Sequence, residues 1–206
     1  MKTRSFITYI LLDLMCAAIF AASFFPARMQ TLSLLDFKVT PFTSGLPQAE
    51  LDSLNAMLAD WQAELAFPLE YDGWVADRIS LKLEHAKSTD RSAMDGFAFG
   101  LRLQGDRAVY DPTGQVLVPL PGGDVKYIEW HIAQLDGNSE SASLWISLAN
   151  PQRLEREVLL RSVPIRFSVR RILGIPVSMY RWMSGMLVIF SSAVFITQLL
   201  KKRRML

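Results

Sequence analysis

The sequence predicts an α+β domain held between two transmembrane helices: one amphipathic helix packed on a roughly five-stranded antiparallel sheet. Three observations predict it. Residues 183–200 form an uncharged apolar run followed at once by Lys201-Lys202-Arg203-Arg204. Residues 6–25 form a second apolar run behind a short basic tail. Between the runs, apolar residues recur first at helical spacing and then with a period of two.

An uncharged apolar run of roughly 18 residues or more reads as a membrane-spanning helix, and a basic cluster behind it marks the cytoplasmic side. On that reading residues 183–200 span, and the basic tail 201–206 is cytoplasmic. Residues 6–25 are the first span and 1–5 its cytoplasmic tail. A cleaved signal peptide is the rival reading, since Ala21-Ala22-Ser23 offers small residues for cleavage; the apolar region is longer than such a leader needs. Two spans put both termini on one side and the long intervening loop on the other. This places the protein in a bacterial inner membrane with a periplasmic domain.

Asp13 sits inside the first run, with Ala17 and Ala21 at the next two positions down one helix face. A carboxylate in hydrocarbon is costly and turns toward protein, while small residues let helices approach closely. An antiparallel second helix would set Ser191 and Ser192 at the depth of Asp13. A hydrogen bond between them, within one chain or across a dimer, is the expectation; snorkelling of Asp13 is the plainer one.

Residues 26–45 read as an extended linker, with a strand candidate at 37–40. Pro47 opens a helix, and Leu51, Leu54, Leu58, Trp61 and Leu65 recur at 3,4,3,4 spacing toward Phe67-Pro68. From Arg78 the period becomes two. Ile79, Leu81 and Leu83 alternate with polar residues, as do Phe97 to Leu103, Ile128 to Ile132 and Leu144 to Leu148. Asp111-Pro112-Thr113-Gly114 reads as the turn of a hairpin, and Pro121-Gly122-Gly123-Asp124 as a second turn. The domain spans residues 46–150. Asn150-Pro151 then reads as the cap of a new helix carrying Leu154, Val158 and Leu159, in a juxtamembrane segment 151–182. Its arginines, Arg166, Arg170 and Arg171 among them, are candidates for anionic lipid headgroups or for a solvated face paired with Glu155 and Glu157.

Little chemistry is written in the chain. The 206 residues carry 22 Lys+Arg against 20 Asp+Glu, a formal net charge of +2, and no basic stripe interleaved with aromatics, so nucleic acid is not an expected partner. The single cysteine, Cys16, allows no disulfide within the chain. No nucleophile elbow, phosphate loop, dinucleotide fingerprint or zinc-protease signature occurs. No enzyme, cofactor or metal is expected. Tyr127, Glu129 and His131 share one strand face and are the candidate ligand site; His85 continues the apolar face of Ile79, Leu81 and Leu83. The competing reading makes both histidines ordinary strand residues.

The order anchor, extracytoplasmic α+β domain, second span resembles the input half of a membrane sensor histidine kinase. Residues 109–124, VYDPTGQVLVPLPGGD, resemble the strand-turn-strand passages of that family's PAS-like domains. The family continues into a phosphoacceptor histidine and an ATP domain, and nothing in this sequence matches those, so its catalysis is not carried over. The resemblance implies a sensory or regulatory module that passes a signal to a membrane protein partner or a homodimer. The alternative is a structural scaffold subunit of an envelope complex of the secretion, pilus or division kind. A ligand pocket would favour the first, and a flat sheet with an exposed edge the second.

Overall fold

In the computed structural model, the described residues are 11, 14–18, 20–21, 23–25, 28–35, 37–39, 47–72, 77–85, 96–120, 125–150, 157–172 and 174–203. They fall into two compact units. One comprises Arg28–Tyr71 and Val75–Ser168; the other Met1–Ala27, Asp72–Trp74 and Val169–Leu206.

The larger unit is a β-sandwich. Sheet 1 runs β1 (Met29–Leu34), β2 (Trp61–Pro68), β4 (Arg78–His85), β8 (Val125–Leu135), β6 (Ala108–Asp111). Sheet 2 runs β3 (Glu70–Tyr71), β10 (Val158–Val169), β9 (Ser139–Ala149), β5 (Ala98–Gly105), β7 (Gln115–Pro119). The strand registers resolved within both sheets are antiparallel. Alternation builds the core. Leu65, Ile79, Leu81, Leu83 and Trp130 of sheet 1 and Phe99, Leu101, Leu144, Ile146 and Ile165 of sheet 2 are fully buried. The Trp61 and Phe99 rings meet edge to face at 5.1 Å, joining the two sheets through one core.

Helix α1 (Gln48–Leu58) buries Leu51, Leu54 and Leu58. It is pinned by Asn55, whose Oδ1 accepts the Val39 amide at 2.7 Å and whose Nδ2 donates to Val39 O at 3.2 Å.

The expected fold class is corrected: this is a two-sheet sandwich, not one helix on a PAS-like five-stranded sheet between two transmembrane helices. Three segments explain the difference. The helical seam was read through Trp61 and Leu65, but the helix ends at Leu58. Trp61, Ala63, Leu65 and Phe67 are all buried, which is period two, and β2 pairs on both sides with β1 and β4. Small Ala63 hid that alternation. The linker supplies β1 at Met29–Leu34, and residues 37–39 are not strand. The segment read as a capped helix supplies β10, where Val163, Ile165 and Phe167 alternate with Pro164 and Arg166. Asn150 is buried at the end of β9. Asp111-Pro112-Thr113-Gly114 is a turn, but β6 pairs with β8 and β7 with β5, so it carries the chain from one sheet to the other and closes no hairpin.

The smaller unit holds helix α2 (Val177–Arg203), the two-stranded ribbon β11 (Arg171–Ile172) and β12 (Ile175–Pro176), and helical residues 14–18 and 20–21. Among the described residues no helix is long and apolar enough to cross a membrane. The two transmembrane helices, the membrane assignment and the inner-membrane localisation with cytoplasmic termini are corrected by that finding. The opening turns of α2 are committed to protein. Arg181 is 4% exposed; its Nη1 and Nη2 donate to the two Asp72 carboxylate oxygens at 2.7 Å each, and its Nε donates to Ser23 O at 3.1 Å. The guanidinium also lies 4.6 Å over the Phe24 ring. Further along, Ser184, Ser191, Ser192 and Thr197 interrupt the apolar residues.

Candidate functional site

The expected ligand residues share the outer face of sheet 1. Tyr127, Glu129 and His131 alternate with buried Ile128, Trp130 and Ile132, and Tyr127 is 71% exposed. They are brought together on an exposed sheet face, beside a shallow cavity of about 320 Å³ that Gln62, Glu64, Lys82 and Glu84 line, and two of the face's cations are paired. Arg78 Nη1 donates to Glu129 at 3.1 Å, and Lys82 Nζ to Glu84 at 2.5 Å. The Glu84 carboxylate raises the Lys82 ammonium above its ordinary value. His85 faces the other way, its ring 5.0 Å from that of Trp61. Among the described residues no group of three metal-ligating side chains forms.

Asp13 lies outside the described residues, so its expected hydrogen bond does too. Ala17 and Ala21 are exposed. Ser191 Oγ donates to Val188 O at 3.0 Å, and Ser192 is half-buried. Of the headgroup candidates, Arg170 Nη1 donates to Phe25 O and Arg171 is exposed. Arg166 belongs to the sandwich, on an exposed position of β10.

The site that sequence reasoning missed surrounds Arg166. An open groove of about 570 Å³ lies at the end of sheet 2 where the β5–β6 turn meets β9 and β10. Its foundation is Glu140, 3% exposed, whose Oε1 accepts the Asp106 amide at 2.7 Å and whose Oε2 accepts the Arg107 amide at 3.0 Å. The carboxylate thus fixes the backbone of the β5–β6 turn. Gly105 makes room for it, since a Cβ there would stand 2.0 Å from Glu140 Oε1. Burial and the Glu140 charge push the Tyr110 phenol well above its usual range. On this turn Arg107 lies across Gly137, where a Cβ would come within 3.1 Å of its Nη1. Arg166 flanks the groove from β10, with Ser139, Ser141 and Ser168 between. Neither guanidinium has an ion pair or hydrogen bond among the described residues.

The same corner holds a second feature. β10 is paired with β9 from Val158 to Ser168, but among the described residues its other edge pairs only with the two-residue strand β3. The Ser168 amide donates to Leu69 O at 3.2 Å, so backbone groups at that position point outward. Alternation gives Arg166, Pro164 and Ser162 the same direction. Pro164, read from sequence as a break, therefore sits where its missing N–H faces the open edge, the position a strand tolerates. The signal that could have found the groove was Glu140 itself. It shares parity with Ala142, Leu144 and Ile146, and a carboxylate on the buried side of a strand needs donors.

No family model matches the chain, and no curated protein is significantly similar to it.

Proposed function

We propose that the chain is a non-catalytic interaction module, a structural subunit that pairs with another polypeptide through the open edge of β10. One observation carries this reading: a strand of 12 residues whose outer edge is paired, among the described residues, with a strand of two. Its backbone groups, a row interrupted at Pro164, are a template for a further strand. The openness of the groove supports a polypeptide over a small molecule held in an enclosed pocket. In the other unit, Trp182, Met186, Ile189 and Phe190 of α2 are largely exposed, which also fits a chain that works in an assembly.

Site-specific photo-crosslinking in the native host tests it. A photoreactive residue replaces Ser162 on the β10 edge in one variant and Tyr127 on the outer face of sheet 1 in another. Adducts from position 162 and none from 127 are expected. Adducts from 127 alone would overturn the edge reading and move the site to Tyr127, Glu129 and His131.

A further inference from the structure

The groove stands at the end of β10 where the Ser168 amide meets Leu69 O. Leu69 and Arg166 line it, and Arg107 faces in from the β5–β6 turn. A segment added along β10 would meet at that end a groove lined by two guanidinium forks. Arg161, on the same strand, is already committed: its Nη1 donates to Leu35 O at 2.8 Å. Arg107 and Arg166 are not.

Two carboxylates lie at the groove, and neither serves these forks. Both oxygens of Glu140 are taken by the Asp106 and Arg107 amides, and the side chain is buried. Asp106 is exposed on the turn and pairs with neither arginine. A guanidinium offers parallel N–H donors that fit a carboxylate with both of its oxygens. The backbone ladder available on this edge is interrupted, because Pro164 has no N–H to give. Recognition must then depend on side chains more than an ordinary added strand does.

We infer that the partner segment, on the edge reading above, is an extended acidic stretch of protein. It lies along β10 and sets Asp or Glu carboxylates against Arg166 and Arg107. Side chains of a strand reach one face at every second residue, so the acidic residues fall at alternate positions.

Fluorescence anisotropy with a labelled ten-residue peptide of alternating Glu and Val, and its Lys-for-Glu twin, tests the inference on the full chain. The Glu peptide binds about tenfold or more tighter than the twin at low salt, with the difference shrinking as salt rises. Arg166→Glu and Arg107→Glu each weaken the Glu peptide by about tenfold, and together they reverse the preference toward the Lys twin. Arg166→Lys keeps the charge without the fork and falls between. Arg102→Glu, on the same sheet face outside the groove, leaves binding unchanged. Equal binding of the two peptides overturns the inference, as does an equal loss from Arg102→Glu. Inorganic phosphate bound as tightly as the peptide would make the groove a small-anion pocket and overturn the extended segment. If the acidic peptide fails while position 162 still crosslinks, only the partner's chemistry is wrong; if position 162 yields no adduct, the edge reading itself falls.

Discussion

On the outer face of sheet 1, Arg78 meets Glu129 at 3.1 Å and Lys82 meets Glu84 at 2.5 Å. On the outer face of sheet 2, Arg102 and Arg166 meet no carboxylate among the described residues. The acid of that second face, Glu157, accepts instead from Gln115 Nε2 at 2.8 Å, with Ser147 Oγ 3.0 Å away. The two faces cover one core and are built by the same alternation, so folding does not demand the difference. Two cations of face 1 are paired, whereas Arg102 and Arg166 of face 2 meet no carboxylate among the described residues. Guanidinium forks without a described partner beside a sparsely covered strand edge point to something other than the domain's own stability.

The comparison is sharpest against a cation that folding does use. Arg181 is buried, paired through both Nη atoms to Asp72, and bonded to Ser23 O. Arg181→Ala takes the guanidinium away from the Asp72 carboxylate, whose side chain is 10% exposed. Breaking a buried pair costs about 3–5 kcal/mol. Hydrogen exchange at residues 177–185 should show that loss as earlier opening. A loss below about 1 kcal/mol would mean that pairing is no measure of structural use in this protein.

The next contrast sets glutamate against glutamate. Glu140 holds two turn amides from a buried position, and Glu129 pairs with Arg78 at a surface where the side chains are 42% and 55% exposed. Glu140→Ala should cost about 1.5–3 kcal/mol, the range of hydrogen bonds to a charged group. Glu129→Ala should cost less than about 1 kcal/mol. Chemical unfolding of the two variants measures the ratio, and comparable losses would erase the distinction between the faces.

These contrasts also separate what sequence could reveal from what it could not. The strands around Leu81, Leu101, Trp130 and Ile146 were legible because large apolar residues alternate without interruption, and their inward sides are buried. β2 was not, because Trp61 and Leu65, four apart, satisfy helical spacing as well as strand spacing, and only pairing with β1 and β4 decides between them. β10 was hidden by Pro164, which looks like a break until the edge beside it is seen to be open. The second sheet followed from neither observation alone, since local periodicity does not say which strands share a sheet. Of the groove, Arg166 was noted, but as part of a basic approach to a membrane. Arg107 and Glu140 are 33 residues apart in sequence and meet only through the turn.

Tyr110 gives the turn beneath the groove a pH signature. Burial and Glu140 raise its phenol above the unfolded value of about 10. In that interval the unfolded chain has released a proton that the folded chain retains. Stability is therefore full below pH about 10 and falls as the pH rises beyond it. Melting temperatures recorded from pH 9 upward should decline more steeply for the wild type than for Tyr110→Phe. A slope unchanged in Tyr110→Phe would detach this residue from the alkaline loss.

The smallest expected effect is the most decisive for the comparison. Arg166→Ala and Arg107→Ala remove side chains that make no ion pair or hydrogen bond among the described residues, so each should shift stability by no more than about 0.5 kcal/mol. Arg78→Ala removes a surface pair and should cost up to about 1 kcal/mol. Thermal melts of the three variants order them. If Arg166→Ala proves the most damaging, the arginine is structural and the free-fork argument loses its basis. If it is silent in stability while the acidic peptide no longer binds, the residue is there for the partner, because a side chain that folding does not use and binding requires has no other work in the molecule.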